Sequence, residues 1–430
     1  MTRREFLGRG PLAAAGALAA VTGWRRSAEG GPYSTCSPSP FEAGHPLRVL
    51  TLEGTPRDRG RIHGEALRAE IREIQARWRD GVKRYPGLDP DVYIDDFLKD
   101  TNFLPAIRAW APGLIEEVEG LAEGAGLDFK TMLVHQLADE DWWYSRQRAL
   151  EMTKMPGARC SALGIHDPGA RPLLAQNMDL LKLYDGSQVL LRIKRPGSSL
   201  ESLVYSFAGF LGLTGLNSRP LGICCNTLLQ LNHSPAGLPV AFVVRRVLES
   251  ANVAEAEDVL KRLPHASGQN YTIADSRTAA AWECSAGKVS RFLPFDGATR
   301  VYHTNHPLAN DDQSDYLELL RRFPPKSGPR RPTNSEVRLE FLARSLGPSA
   351  SGVDVAAIKG ILASPSVPIC FNGRNPDDLF TFGCLVMELS PEPVLHLAPG
   401  PPCVSEFREY RFGEASENGK YGRHLVKRLR

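Results

Sequence analysis

Cys160 stands in Gly157-Ala158-Arg159-Cys160-Ser161, and Asp179 follows it by nineteen positions in Gln176-Asn177-Met178-Asp179. Farther along come Cys224-Cys225-Asn226-Thr227, Asn270-Tyr271-Thr272-Ile273-Ala274-Asp275 and His303-Thr304-Asn305-His306-Pro307. A thiol is the strongest nucleophile in this set, but a cysteine inside a chain has no resident base. At a chain terminus its own α-amino group, with a pKa near ~8, lies within reach of the thiol, so one residue supplies nucleophile and base. Forming that terminus requires cleavage of Arg159–Cys160. The Cys160 thiol can attack the preceding carbonyl, giving a thioester that water hydrolyses. A free cysteine is more often a small buried hydrophobe. This one sits where the sequence pattern turns from helical to strand-like. His303 and His306 are three apart on a strand-like segment, so they face opposite ways and do not read as a metal pair. The run Asp139-Glu140-Asp141-Trp142-Trp143 reads as a helix end lining an entrance or as a solvated acidic turn, in preference to a cation or sugar site. His45, His63 and His135 have no visible partner. No phosphate loop, dinucleotide fingerprint or G-x-S-x-G elbow occurs.

The order and spacing of these segments resemble the penicillin acyltransferase (peptidase C45) family of N-terminal-nucleophile hydrolases, and the wider choloylglycine hydrolase and acid ceramidase group. The resemblance runs from about Leu47 to Cys403, and Gly54-Thr55-Pro56…Gly60…Gly64 looks like the start of that family's N-terminal region. It implies a four-layer αββα sandwich of the α+β class, with Cys160 as nucleophile after self-cleavage between Arg159 and Cys160. It implies that Asp179 holds and orients the new ammonium, that Asn305 donates to the oxyanion, and that Asn226 has a substrate or oxyanion role. Gln176 stands where the bile-salt hydrolases and ceramidases have arginine, and is compatible with the acyltransferase branch. Gln176 and Asn270 are expected beside the substrate, with Asn270 and Asp275 outside the chemistry itself. The implied reaction is hydrolysis of a small N-acyl amide without cofactor or metal. Acyl transfer to an amine, a binding module of the same fold, and a Cys-His hydrolase without self-cleavage are the alternatives.

The elements that must position these residues follow from the apolar periodicity. A strand at Leu47–Glu53 leads into a helix with Ile62, Ala66, Ile71, Ile74 and Trp78 near one face. Helical pattern continues through Leu114–Ala125 and Phe129–Asp141. From Cys160 onward, strand-like runs recur at Ser161–Ile165, Leu173–Met178, Gln188–Lys194, Ser202–Phe210 and Gly222–Thr227, separated by turn signals such as Asp167-Pro168-Gly169 and Pro196-Gly197. A helix is expected over Pro239–Leu263. Strands resume at Asn270–Asp275, Ala279–Cys284, Val289–Leu293 and Arg300–Thr304. Helices follow near Asp315–Arg322, Ser335–Leu346 and Val353–Leu362, with closing strands at Phe380–Leu389 and Val394–Ala398. Strands and helices in blocks, without β-α-β alternation, predict an α+β layered sandwich.

Residues 1–28 carry five arginines against Glu5, a net of +4 in a chain whose total is +3, which leaves the remainder at −1. A near-neutral remainder gives no reason to expect nucleic acid as a partner. Thr2-Arg3-Arg4-Glu5-Phe6-Leu7 before the apolar run Pro11–Gly23 matches a twin-arginine export signal. That run is short of the ~20 residues a membrane span needs. The expectation is therefore a leader over 1–28, a mostly helical segment over 29–159 and a catalytic core over 160–430, exported to the periplasm or beyond. After self-cleavage the last two would stay together as a heterodimer with no membrane span. Eight cysteines in 430 residues do not make a disulfide scaffold, and no C-x-x-C pair suggests structural zinc.

Overall fold

The computed structural model describes residues 47–84, 87–148, 159–322, 331–347, 352–373 and 377–413, with residues 324, 350 and 375. The expected leader over residues 1–28 lies outside the described residues.

Among the described residues, the N-terminal third is one strand and seven helices: β1 (Arg48–Leu52), α1 (Pro56–Ala66), α2 (Arg68–Arg84), α3 (Pro90–Asp100), α4 (Phe103–Trp110), α5 (Pro112–Ala125), α6 (Phe129–His135) and α7 (Ala138–Arg148). Thr55 caps α1 and shares a capping box with Asp58, while Pro56 takes the first turn, where its missing N–H costs nothing. The Gly60 and Gly64 spacing is explained by packing. A Cβ on Gly60 would lie 1.9 Å from the Glu117 carbonyl oxygen, and one on Gly64 2.5 Å from that of Leu121. Those carbonyls belong to α5, so α1 and α5 approach backbone to backbone.

The rest builds two sheets. The first runs β1-β4-β5-β6-β7-β8-β9-β10. Its later members are β4 (Gln188–Lys194), β5 (Glu201–Phe207), β6 (Thr214–Asn217), β7 (Gly222–Thr227), β8 (Gln269–Ala274), β9 (Ala279–Cys284) and β10 (Val289–Phe292). The second runs β11-β2-β3-β12-β13-β14, from β2 (Ser161–Ile165), β3 (Leu173–Leu181), β11 (Arg300–His303), β12 (Leu379–Glu388), β13 (Val394–Ala398) and β14 (Arg408–Arg411). Apart from the parallel β1–β4 pair, every pairing between these strands is antiparallel. Through that pair the N-terminal segment contributes a strand to the core sheet.

The sheets pack face to face, with β2 and β3 against β7 and β8. On the outside of the first lie α8 (Val240–Val247) and α9 (Val253–Arg262), and on the outside of the second α11 (Asn334–Ser345) and α12 (Val355–Leu362). This is the αββα sandwich. α10 (Ser314–Arg322) has no buried residue. The strands of the second sheet alternate between two cores, as a period of two requires. Leu174 and Met178 face the space between the sheets, while Leu173 and Ala175 pack toward α11 and α12. In β12 the alternation shifts across a register break between Thr381 and Gly383, opposite Asp179. A bulge of this kind re-aims side chains. Phe380 and Phe382 face inward before it, and Leu385 and Met387 after it.

Three expected helices are divided. The one carrying Ile62 to Trp78 becomes α1 and α2. Pro239–Leu263 becomes α8 and α9, because the Asn252 side chain accepts from Glu255 N–H and starts a new helix. Phe129–Asp141 becomes α6 and α7. The short strands β6 and β14 and the helices α3 and α4 have no separate counterpart in the sequence pattern.

Candidate active site

Cys160 is the residue before β2, and the sheet register brings its partners. Ser161 pairs with Asn177 and Ala162 with His303, so extending each ladder sets Cys160 level with Met178 and Asn305. The Cys160 N–H donates to Asn305 Oδ1 (2.7 Å). The thiol is buried, 3.8 Å from Met178 Sδ and 3.9 Å from the Asp179 carbonyl oxygen. Burial, then the nearby Asp179 charge, push it up to about 12.

The group that completes this corner is Arg338, which the sequence did not single out. Its guanidinium donates to the Cys160 carbonyl oxygen (2.6 Å), Ser161 Oγ (2.9 Å) and Asn305 Oδ1 (2.9 Å). It is fully buried and lowered to about 10 by that burial, so it stays charged at neutral pH. Thr333 and Glu336 form a capping box that fixes the start of α11. That places Ser335 and Arg338, three apart, on one face. Ser335 Oγ accepts the Asn305 N–H (2.8 Å) and bonds His306 Nδ1 (2.7 Å). In sequence, Arg338 looks like an ordinary helix arginine, since nothing local marks it as buried.

Asn305 is oriented by these donors. Two N–H groups, from Cys160 and Arg338, face one end of its amide, so that end is the oxygen. Its Nδ2 then donates to the Thr227 carbonyl (3.1 Å). The loop after Asn305 is tied to Glu283, whose carboxylate accepts from His303 Nε2 and from the N–H groups of Leu308, Ala309 and Asn310. Burial works against the Glu283 charge, but the hydrogen bonds and charge of His303 and the backbone donors hold its carboxyl below the usual range. His303 and His306 thus serve separate partners, Glu283 and Ser335.

Asn226, Gln176 and Asn270 are fully buried together between the sheets. Asn270 Nδ2 donates to Asn226 Oδ1 (3.0 Å) and Gln176 Nε2 to the Cys225 carbonyl. Asn226 Nδ2, Asn270 Oδ1 and Gln176 Oε1 have no partner among the described residues. Buried groups of this kind are expensive unless something pairs with them. Asp275 lies apart, accepting from Val253, Arg277 and Thr278 N–H groups. The acidic run is not a solvated turn. Asp139 accepts from Thr227 Oγ1 and Gln269, Glu140 from Val240 N–H and Ser267, and Asp141 from Tyr93 and Trp78. All three carboxyls are raised by burial.

Asp179 is raised to about 7 by burial, opposed by the Thr381 hydroxyl and the positive charges of Arg338 and Arg159. Thr381 Oγ1 donates to its Oδ1 (2.7 Å). Its folded value lies above the ordinary carboxylate value of about 4. The folded chain therefore holds the extra proton between those values, and stability falls as pH rises through that window. Asp179→Asn keeps an acceptor for Thr381 and removes the titration. We expect the variant to lose a fall on the order of 4 kcal/mol that the wild-type chain shows between about pH 4 and 7. Equal slopes for the two proteins in chemical denaturation would show that Asp179 ionises normally.

Known proteins share features with this chain. A family model described as acyl-coenzyme A:6-aminopenicillanic acid acyl-transferase matches residues 166–327. Acyl-coenzyme A:6-aminopenicillanic-acid-acyltransferase 40 kDa form from Emericella nidulans is 25% identical over 266 residues, covering 62% of this chain and 71% of that protein. Protein dcd1A from Dictyostelium discoideum is 25% identical over 244 residues, 47% of this chain and 50% of its own length. Among solved structures, a mutant of the conjugated bile acid hydrolase from Clostridium perfringens aligns with a TM-score of 0.38 at 14% identity, over 59% of this chain and 97% of that one. Penicillin V acylase from Agrobacterium tumefaciens aligns with a TM-score of 0.36 at 15% identity, over 60% and 87%. The sequence matches bear out the resemblance to penicillin acyltransferases. The αββα layering is the fold that this resemblance implies.

Proposed function

We propose that the protein is a self-processing cysteine amidase that hydrolyses small N-acyl amides through a thioester on Cys160. One observation carries the reading. The nitrogen of the Arg159–Cys160 bond is held by Asn305 Oδ1 and the next carbonyl by Arg338, with the Cys160 thiol buried beside Asp179. In the first event the thiol sulfur bonds the Arg159 carbonyl carbon, the C–N bond breaks, and the thiol proton ends on the Cys160 nitrogen. Water then hydrolyses the thioester to a carboxylate and a free thiol. In turnover the same steps act on a substrate amide, whose amine leaves with the proton, and the Cys160 α-amine is the base. Asp179, poised to exchange a proton near neutral pH, accepts and orients the new ammonium. Asn305 holds the nitrogen. Asn226 Nδ2, a buried amide donor between the sheets without a partner among the described residues, is assigned to the oxyanion. Gln176 and Asn270 line the substrate side of the same polar cluster.

The β1–β4 pairing and the buried Arg245–Glu117 ion pair (2.8 Å) keep the two fragments, residues 29–159 and 160–430, together without a covalent link. Transfer of the acyl group to an amine is the second reading, favoured by the acyltransferase activity for which the Emericella relative is named. Export favours hydrolysis, since acyl-CoA is a cytoplasmic donor. Intact-mass measurement of the purified protein tests the main reading: two fragments are expected, the downstream one beginning Cys160-Ser161-Ala162. A single full-length species active on amides would defeat it.

Export through the twin-arginine signal is part of the proposal. Among the described residues no helix is long and apolar enough to cross a membrane. Changing Arg3 and Arg4 together to lysine should trap full-length precursor in the cytoplasm, as read by cell fractionation. Unimpaired export of that variant would rule the signal out.

A further inference from the structure

In the proposed self-cleavage, the first acyl group that the site carries is its own Arg159. The Arg159 carbonyl carbon passes from the Cys160 nitrogen to Cys160 Sγ, and the resulting thioester is chemically the acyl-enzyme that any amide substrate would give. Whatever holds the Arg159 side chain therefore lies where an acyl group extends from the reacting carbonyl. The Arg159 guanidinium carbon sits 4.8 Å from the centre of the Phe371 ring. That ring is buried and fixed: Phe371 N–H donates to Thr381 Oγ1 (2.9 Å), and Thr381 N–H donates to the Phe371 carbonyl (2.9 Å). The same Thr381 hydroxyl donates to Asp179 Oδ1, so ring and carboxylate form one hydrogen-bonded unit. The other carboxylate oxygen, Asp179 Oδ2, is buried and accepts from nothing among the described residues. A ring face and a buried carboxylate oxygen both favour positive charge. A fatty or arylacetyl group would pack on the ring but leave the carboxylate oxygen without a partner.

We propose that Phe371, Thr381 and Asp179 form an acyl subsite for a cationic acyl group, so that the substrate is an amide of a basic aminoacyl unit with an arginine-like side chain. This rests on the self-processing reading. Once the Arg159 fragment has been released by water, the subsite is open to the substrate's own cation.

Processing of the full-length precursor, followed by time-resolved intact mass, tests it without a known substrate. Arg159→Gln and Phe371→Leu should each slow cleavage by roughly 3- to 30-fold, the range of a cation–π contact. The double variant should be no slower than the slower single, and Phe371→Tyr, which keeps the ring, should process at the wild-type rate. On processed enzyme, the coumarin amide of N-acetyl-arginine should exceed that of neutral, isosteric N-acetyl-citrulline at least ~3-fold in kcat/KM, and Phe371→Leu should erase the preference. Multiplying effects in the double variant, an unslowed Arg159→Gln, a Phe371→Tyr as slow as Phe371→Leu, or equal rates on the two amides would overturn the subsite. A wild-type chain never cut at Arg159–Cys160 would remove the self-processing reading itself, whereas normal wild-type cutting with any of those results removes the subsite alone.

Discussion

Cys160→Ala should leave the chain in one piece and without turnover. In the proposed self-cleavage the sulfur is the atom that attacks the Arg159 carbonyl. Its neighbours, the Met178 thioether and the Asp179 carbonyl oxygen, carry no proton to lose and cannot replace it as nucleophile. Cys160→Ser is the sharper variant. A hydroxyl of similar size can make the same acyl shift, but its pKa is far above that of a thiol, so it is a poorer nucleophile near neutral pH. Processing should be slow or partial, and turnover low even in molecules that have been cut. The burial that pushes the thiol up to about 12 also means that the precursor thiol is protonated at neutral pH, so attack depends on a proton acceptor nearby. Intact mass and a fluorogenic amide panel read both effects. A Cys160→Ala chain that is still cut at Arg159 would end the mechanism.

Asn305→Ala should lower kcat by about 10²-fold or more with a smaller change in KM, and slow self-cleavage as well. The size comes from two losses. The Cys160 nitrogen loses its acceptor, and Arg338 loses one of the groups that hold it against the Cys160 carbonyl. Asn305→Asp separates the two roles open to this side chain. It keeps an oxygen for the Cys160 nitrogen and Arg338 but removes the amide donor that now serves Thr227. If Asn305 works by holding nitrogen, Asn305→Asp should process faster than Asn305→Ala. If it works as an oxyanion donor, the two should be equally slow, and the oxyanion role assigned to Asn226 would pass back to Asn305. Paired kcat and processing measurements on Asn226→Ala complete the comparison.

Much of the frame was legible because it depends on local pattern. Ser161–Ile165, Gln188–Lys194, Gly222–Thr227, Ala279–Cys284 and Val394–Ala398 form strands with the bounds that their apolar runs and flanking turns indicate. Helix breaks were less legible. The run Pro239–Leu263 is apolar enough throughout to look continuous, and the cap at Asn252 competes with it only once the helix has somewhere else to go. The acidic run Asp139–Asp141 was legible in part: it opens helix α7, as the helix-end reading has it, but it is not a solvated turn. Consecutive carboxylates usually stay solvated, but here each finds its own donors on a different element.

The sequence by itself determined the candidate nucleophile, the strand that follows it and the order of the polar segments, because those are properties of neighbouring residues. The tertiary structure decided who meets whom. Ladder register brings Asn305, which is 145 residues away, onto the Cys160 nitrogen. A capped helix from the outer layer delivers Arg338 to the Cys160 carbonyl. A bulge opposite Asp179 sets Thr381 between that carboxylate and Phe371. None of these pairs forms from neighbours along the strand or helix. Each is fixed by burial of apolar strand faces on both sides of a sheet, where a slip of one residue would turn every polar side chain to the wrong side.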